Sequence, residues 1–226
     1  MKSLLVIGMG RFGKHLATKL MELGNDVMII DKNEEIINTL SASFTDAFVG
    51  DCTNPAVIKS LGINNFDICF VTIGDNFQSS LEITSLLKEA GAKYIVSKAT
   101  VDMQAKFLKQ IGADEVVYPE HDMAIRLAIK HNANNVFDYI EIGQSYAIYE
   151  IPILKNWIGK SIIDINVRKV HHVNIIAVKK GIELISSPDP HYQFENNDHI
   201  IVIATSKDIA ALTNLIDSER KATKNF

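Results

Sequence analysis

The stretch "VIGMGRFGKHLATKL", residues 6 to 20, places Gly8, Gly10 and Gly13 between an apolar run and an amphipathic one. Three glycines in G-x-G-x-x-G spacing say little alone. Here they follow "LLVI" and open a run in which Phe12, Leu16, Ala17, Leu20 and Leu23 share one helical face. In a strand-turn-helix context the first glycine permits the tight turn. The second lets the backbone approach a pyrophosphate, and the third lets helix and strand pack closely. The helix N-terminus then attracts phosphate through its free N–H groups and dipole. Without a ligand, the same pattern is a tight strand-to-helix turn.

From residue 3 to about 118, six short β-branched runs alternate with helical patterns: "LLVIG", "DVMII", "DAFVG", "DICFVTIG", "KYIVSKA" and "DEVVY". That rhythm predicts an α/β fold, a Rossmann-like doubly wound parallel sheet with crossover helices. The stretches 77–91 and 102–112 carry apolar residues at spacings of three and four and end at a glycine, as surface helices do. Near residue 120 the pattern changes. In "PEHDMAIRLAIKHN", Met123, Ala124, Ile125, Leu127, Ala128 and Ile129 leave only a narrow polar face, so this helix needs more than one apolar neighbour. From Phe137 on, strands "YAIYEIPI", "NIIAVKKG" with "IELIS", and "DHIIVIAT" precede a last helix, "KDIAALTNLI". The expected organisation is a nucleotide-binding domain at 1–120, a crossover helix and linker at 121–136, a small α+β domain at 137–217, and a flexible tail at 218–226.

Charge and composition narrow the function. A formal net charge of −4 supplies no basic stripe for a phosphate backbone, so nucleic acid is not an expected partner. Cys52 and Cys69 form neither a disulfide framework nor a zinc pattern, which points to a reducing, cytosolic compartment. No leader pattern and no run of about 18 apolar residues is visible, so membrane association is expected only through a partner. Seven histidines give no metal spacing: His171 and His172 are adjacent, and His121 and His131 lie ten apart. They read as surface or packing residues. A dehydrogenase needs a second domain that encloses its substrate and a general acid or base at the nicotinamide. The last 80 or so residues are too small for that and offer no catalytic set, so the expectation is a binder of nucleotide and not an enzyme. A nicotinamide-dependent oxidoreductase is the competing reading.

Asp31 ends the second run, 18 residues beyond Gly13, where an acid accepts hydrogen bonds from both ribose hydroxyls of an adenosine. Its charge argues against a 2′-phosphate. Capping the helix near "NEE" is its alternative role. Asp51 closes the third run at the same edge, so that it and Cys52 flank an adenine, or it is simply a turn aspartate. Arg11 gives a guanidinium beside the pyrophosphate, which suits ADP or ATP, or else it is a solvated first-turn residue.

Taken in order, "VIGMGRFG", "IID", "GDCT", "FVTIGDNFQSS", "VSKA", "IGADEVVYPEHDMA", "GKSIIDINVRK" and "IELISSPDP" span nearly the whole chain. Together they resemble the RCK (KTN) regulatory subunits of bacterial potassium uptake systems, the Ktr type, with the TrkA family as relatives. The resemblance implies an RCK N-domain holding ATP or ADP, with NAD(H) the alternative as in Trk subunits. It implies a helix crossing to a neighbouring subunit, and homodimers assembling into an octameric ring. That ring would sit at the inner face of the plasma membrane beneath a KtrB- or TrkH-like channel subunit. It assigns nucleotide contacts to Gly8, Gly10, Arg11, Phe12, Gly13, Asp31, Lys32, Asp51, Cys52, Gly74, Lys98 and Glu120. Among these, Arg11 meets the terminal phosphate of ATP from the adjoining subunit, Asp31 the ribose and Lys98 the phosphates. Glu120 meets a divalent cation or Na+, its other role being an acid in a helix first turn. In the C-domain the resemblance implies cyclic di-AMP bound at a two-fold interface by Ile162, Ile163, Arg168, Asn174, Ile175 and Pro190. The isoleucines also read as plain dimer core. Two departures are His172, where the family often has glycine, and "ENND" at 195–198 in place of a Gly-Asp turn. Both fall in turns.

Overall fold

A computed structural model of the chain describes residues 1–132, 136–143 and 145–224. Two compact units make up the chain, Met1–Asp122 and Met123–Phe226. In the first, strands β1 (Ser3–Ile7), β2 (Asp26–Asp31), β3 (Asp46–Val49), β4 (Ile68–Val71), β5 (Ile95–Lys98) and β6 (Glu115–Val117) form one sheet. Helices α1 (Arg11–Glu22), α2 (Glu34–Leu40), α3 (Pro55–Ser60), α4 (Phe77–Glu89) and α5 (Asp102–Ile111) connect them. The strand order is β3-β2-β1-β4-β5-β6, every pair parallel. This is the doubly wound arrangement, whose connections reverse direction between β1 and β4.

Strand β1 lies at the centre with both faces covered, which is why its sequence is a continuous apolar run and not an alternating one. Leu4 and Val6 join Ala17 of α1 and Ile37 of α2 in one layer. Leu5 and Ile7 join Ile58 of α3, and Ile83 and Leu87 of α4, in the other. Parallel pairing brings all six carboxyl ends to one edge, the edge where such sheets bind ligands. Helix α6 (Pro119–Asn132) begins beyond β6, and the boundary between the units falls within it. Met123, Ile125 and Leu127 on it are 51%, 40% and 48% exposed in the single chain.

The second unit contains β7 (Asp138–Glu141), β8 (Tyr146–Pro152), α7 (Ile162–Ile165), α8 (Val167–His171), β9 (Asn174–Lys180), β10 (Glu183–Ser186), β11 (Asp198–Thr205) and α9 (Ser206–Lys224). Its antiparallel sheet has the order β10-β9-β11-β8-β7. Tyr149, Ile151, Ile200 and Val202 alternate inward onto Trp157, Phe194 and the Leu212–Ile216 face of α9. Three features depart from the sequence reading. Strand β7 pairs with β8, where no separate strand is expected. "SIIDINVRKVH" folds into two short helices, the first closed by a capping box in which the Asp164 N–H donates to Ser161 Oγ. Helix α9 continues through 218–224, expected as tail, where Glu219 accepts a hydrogen bond from the Lys155 N–H at 2.8 Å. Residues 225 and 226 of that expected tail lie outside the described residues.

Both departures from the resembled family sit on left-handed backbone: His172 has φ +57° and Asn197 φ +69°. A glycine meets that geometry without cost, and asparagine is among the side chains that tolerate it best. Replacing Gly-Asp by Asn197-Asp198 therefore preserves the turn. Asp198 is buried and accepts from the Tyr192 hydroxyl at 2.9 Å and the Glu195 N–H at 2.8 Å.

Candidate functional site

The loops leaving the six strands line a cleft of about 800 Å³ in the first unit. Each strand end contributes. After β1 come Gly8, Gly10, Arg11 and Phe12; at the end of β2 stand Asp31, Lys32 and Asn33; beyond β3 lie Asp51 and Cys52. Beyond β4 come Thr72, Gly74 and Asn76, at the end of β5 Lys98, and past β6 Glu120. Apart from Gly13, every nucleotide-contact candidate lines this one cleft.

Gly13 is absent from the lining because its role is packing: a Cβ there would overlap the carbonyl oxygen of Gly8. Gly8 has φ +96°, and a Cβ on it would press to 2.9 Å from Ile73 Cγ1. The Thr72 hydroxyl donates to the Gly8 carbonyl at 2.5 Å, tying the β4 end to the turn. Helix α1 therefore starts with its N–H groups toward the cleft.

Asp31 is already part of the loop architecture. Its Oδ2 accepts from the Met9 N–H at 2.7 Å and its Oδ1 from the Asn33 N–H at 2.8 Å. Each carboxylate oxygen keeps a lone pair for a further donor, such as a ribose hydroxyl. The cap of α2 is Asn33, which accepts from the N–H groups of Glu35 and Ile36, so the capping alternative for Asp31 is excluded. Asp51 makes a turn as well: the Thr53 N–H (3.0 Å) and then the Thr53 hydroxyl (2.8 Å) hold its carboxyl below the usual range. Burial, with Asp51 and Asp31 nearby, pushes the Cys52 thiol up to about 12, so it is a neutral, unreactive wall.

At the far side Lys98 Nζ lies 2.7 Å from Glu120 Oε1 and 5.6 Å from the centroid of the Phe12 ring. The Lys98 hydrogen bond, opposed by partial burial, holds the Glu120 carboxyl below its ordinary range. Arg11, Lys32 and Lys98 thus bring three cationic side chains to the lining of the cleft. The sequence reading passes over Asn33, Thr72 and Asn76. Asn76 caps α4 at the Ser79 N–H, 3.0 Å away, and its signal is the Asp-Asn pair preceding an amphipathic run. Thr72 leaves no sequence signal, because its function is a contact across 64 residues.

The cyclic di-AMP candidates lie on the second unit. Ile162 and Ile163 are on α7, Arg168 on α8, Asn174 and Ile175 open β9, and Pro190 is in the loop before β11. The Ile163 N–H donates to the Pro190 carbonyl at 2.9 Å, and Ile163 is 55% exposed. Ile162 and Ile175 pack on the rim of the core. Arg168 is exposed and forms no ion pair among the described residues. Among the described residues no group of three or more His, Cys, Asp or Glu converges as a metal cage, and no helix is long and apolar enough to cross a membrane.

Comparison with known proteins converges on one family. Residues 4–119 match the TrkA-N domain and residues 146–217 the TrkA-C domain. The chain is 39% identical over 209 residues to the Ktr system potassium uptake protein C of Bacillus subtilis, covering 92% of this chain and 95% of that one. It is 36% identical to the Ktr system potassium uptake protein A of the same organism, covering 94% and 96%. Among solved structures, the GsuK channel superposes with a TM-score of 0.70 at 18% identity, covering 95% of this chain and 39% of the channel. A GsuK channel structure bound to NAD superposes at 0.65 and 16%. At those identities the likeness is one of fold.

Proposed function

The chain belongs to the family of Ktr-type potassium uptake proteins built from a TrkA-N and a TrkA-C domain, and from that premise we propose that it is a cytosolic gating subunit of a potassium channel or transporter. Its N-domain responds to ATP and ADP. The observation that carries this reading is the single cleft whose lining joins the Asp31 carboxylate with the cationic Arg11, Lys32 and Lys98. An acid suits a ribose and cations suit a polyphosphate. The proposed role is not catalytic: the buried Cys52 is held neutral, and Asp31, Asp51, Lys98 and Glu120 are engaged in loop structure or in each other.

A ligand shifts a conformational equilibrium only by its differential affinity for the two states, so ATP must reach a group that ADP does not. Arg11, offered to the terminal phosphate of a nucleotide in an adjoining copy, supplies that difference, with a divalent cation or Na+ at Glu120. The exposed apolar face of α6 supports homodimers, which assemble into a ring of eight on the membrane subunit. The domain limits are those expected above: 1–120 for nucleotide, 121–136 for crossover, 137–217 for pairing. In the paired C-domains, exposed Ile163 beside Pro190 and an exposed Arg168 with no ion pair among the described residues favour cyclic di-AMP as a second ligand. NAD(H) is the alternative nucleotide, since Asp31 serves either ribose. Releasing and identifying the nucleotide that copurifies with the full chain tests the reading. ATP or ADP is expected, whereas NAD(H) replaces this reading with the Trk-type one.

A further inference from the structure

Lys98 stands at the meeting of two claims. Its side chain is only 10% exposed, enclosed between the Phe12 ring and Gly74, where even a Cβ on Gly74 would come within 3.2 Å of Nζ. The ammonium therefore has little room to turn away from the cleft. Its partner differs in kind: the Glu120 side chain is 64% exposed, on the second residue of α6. If the pair parts, water receives the carboxylate cheaply, while burial penalises an ammonium left without a counter-charge.

We propose that Glu120 is a built-in competitor for the cation that receives nucleotide phosphates, so that phosphate occupancy of the cleft is traded against the Lys98–Glu120 pair and is read at the first turn of α6. This rests on the nucleotide reading above. A carboxylate 2.7 Å from Nζ neutralises the positive charge that the cleft presents to a polyphosphate. A phosphate that takes Lys98 must therefore displace Glu120 or share the ammonium with it. Lys98, being confined, stays; Glu120, being exposed, moves. Adenosine carries no phosphate and leaves the pair intact, so the competition separates nucleotides by their phosphates.

The test is titration of ADP and adenosine into the full chain in EDTA and Na+-free buffer at fixed ionic strength, for the wild type, Glu120→Gln, Lys98→Met and the double variant. Glu120→Gln is expected to tighten ADP binding about three- to fivefold, the upper range for a partly exposed ion pair. Adenosine should change less than twofold. In the Lys98→Met background the gain should vanish, with Lys98→Gln as a second background if the first does not fold. Unchanged or weaker ADP binding by Glu120→Gln overturns the proposal. So does a gain that persists without Lys98, since Glu120 would then act by general repulsion. A wild type that binds no ADP at all instead removes the nucleotide reading on which the proposal rests.

Discussion

The two units of this chain handle candidate ligand residues in opposite ways. In the first, residues scattered from Gly8 to Glu120 arrive at one cleft because every strand of a parallel sheet points its carboxyl end to the same edge. In the second, the sheet is antiparallel, successive strand ends alternate between edges, and the candidates are drawn from two short helices, one strand start and a loop. A parallel sheet gathers a site within one chain. In the reading proposed above, the antiparallel unit offers half a surface that a second copy completes.

The contrast is tested by substitutions that fall within one unit at a time. Gly13→Ala should have the largest effect, because its Cβ would collide with the Gly8 carbonyl oxygen and force α1 off β1. The first unit should lose about 3 kcal/mol, the upper range for overpacking. Scanning calorimetry should show only the transition of the first unit moving down. Next, Arg168→Ala removes one exposed guanidinium per copy that forms no ion pair among the described residues, so cyclic di-AMP binding should fall at least tenfold with ATP binding unchanged. An equal loss of both ligands in titration would mean that the two units do not divide the work.

The smallest effect is expected at Glu150. Burial raises its carboxyl pKa, but hydrogen bonds from His199 (2.9 Å) and Lys179 (2.9 Å) outweigh that and hold it below its ordinary value. A depressed carboxylate pKa gives stability above the unfolded value, lost as pH falls through the folded one. Glu150→Gln should thus destabilise the second unit by about 1 kcal/mol at neutral pH. The gap from wild type should close on acidification below about pH 4 in urea melts. A constant gap would remove the ion pairs as its cause.

The same contrast explains what was legible in the sequence. Strands β1 to β6 and the cleft at their carboxyl ends could be read because β-branched runs, long amphipathic helices and a glycine turn are local signals. Asp31 was legible as an acid at the end of β2, whereas Thr72 was not, since no local pattern marks a hydroxyl that reaches the turn of another strand. The helices α7 and α8, four and five residues long, carry too little periodicity to be seen, although the Ser161 to Asp164 spacing is a capping box in plain view. The extension of α9 was missed because a charged terminal stretch reads as solvated whether or not its backbone is helical.

The central claim is that the first unit reads an adenine nucleotide through Asp31. Calorimetric titration of ATP and of ADP into wild type and Asp31→Ala tests it most directly. Both nucleotides should bind the wild type at one per chain, and the substitution should cost about 1.5–3 kcal/mol, the scale of hydrogen bonds to a charged group. Equal affinities for wild type and variant would contradict the account.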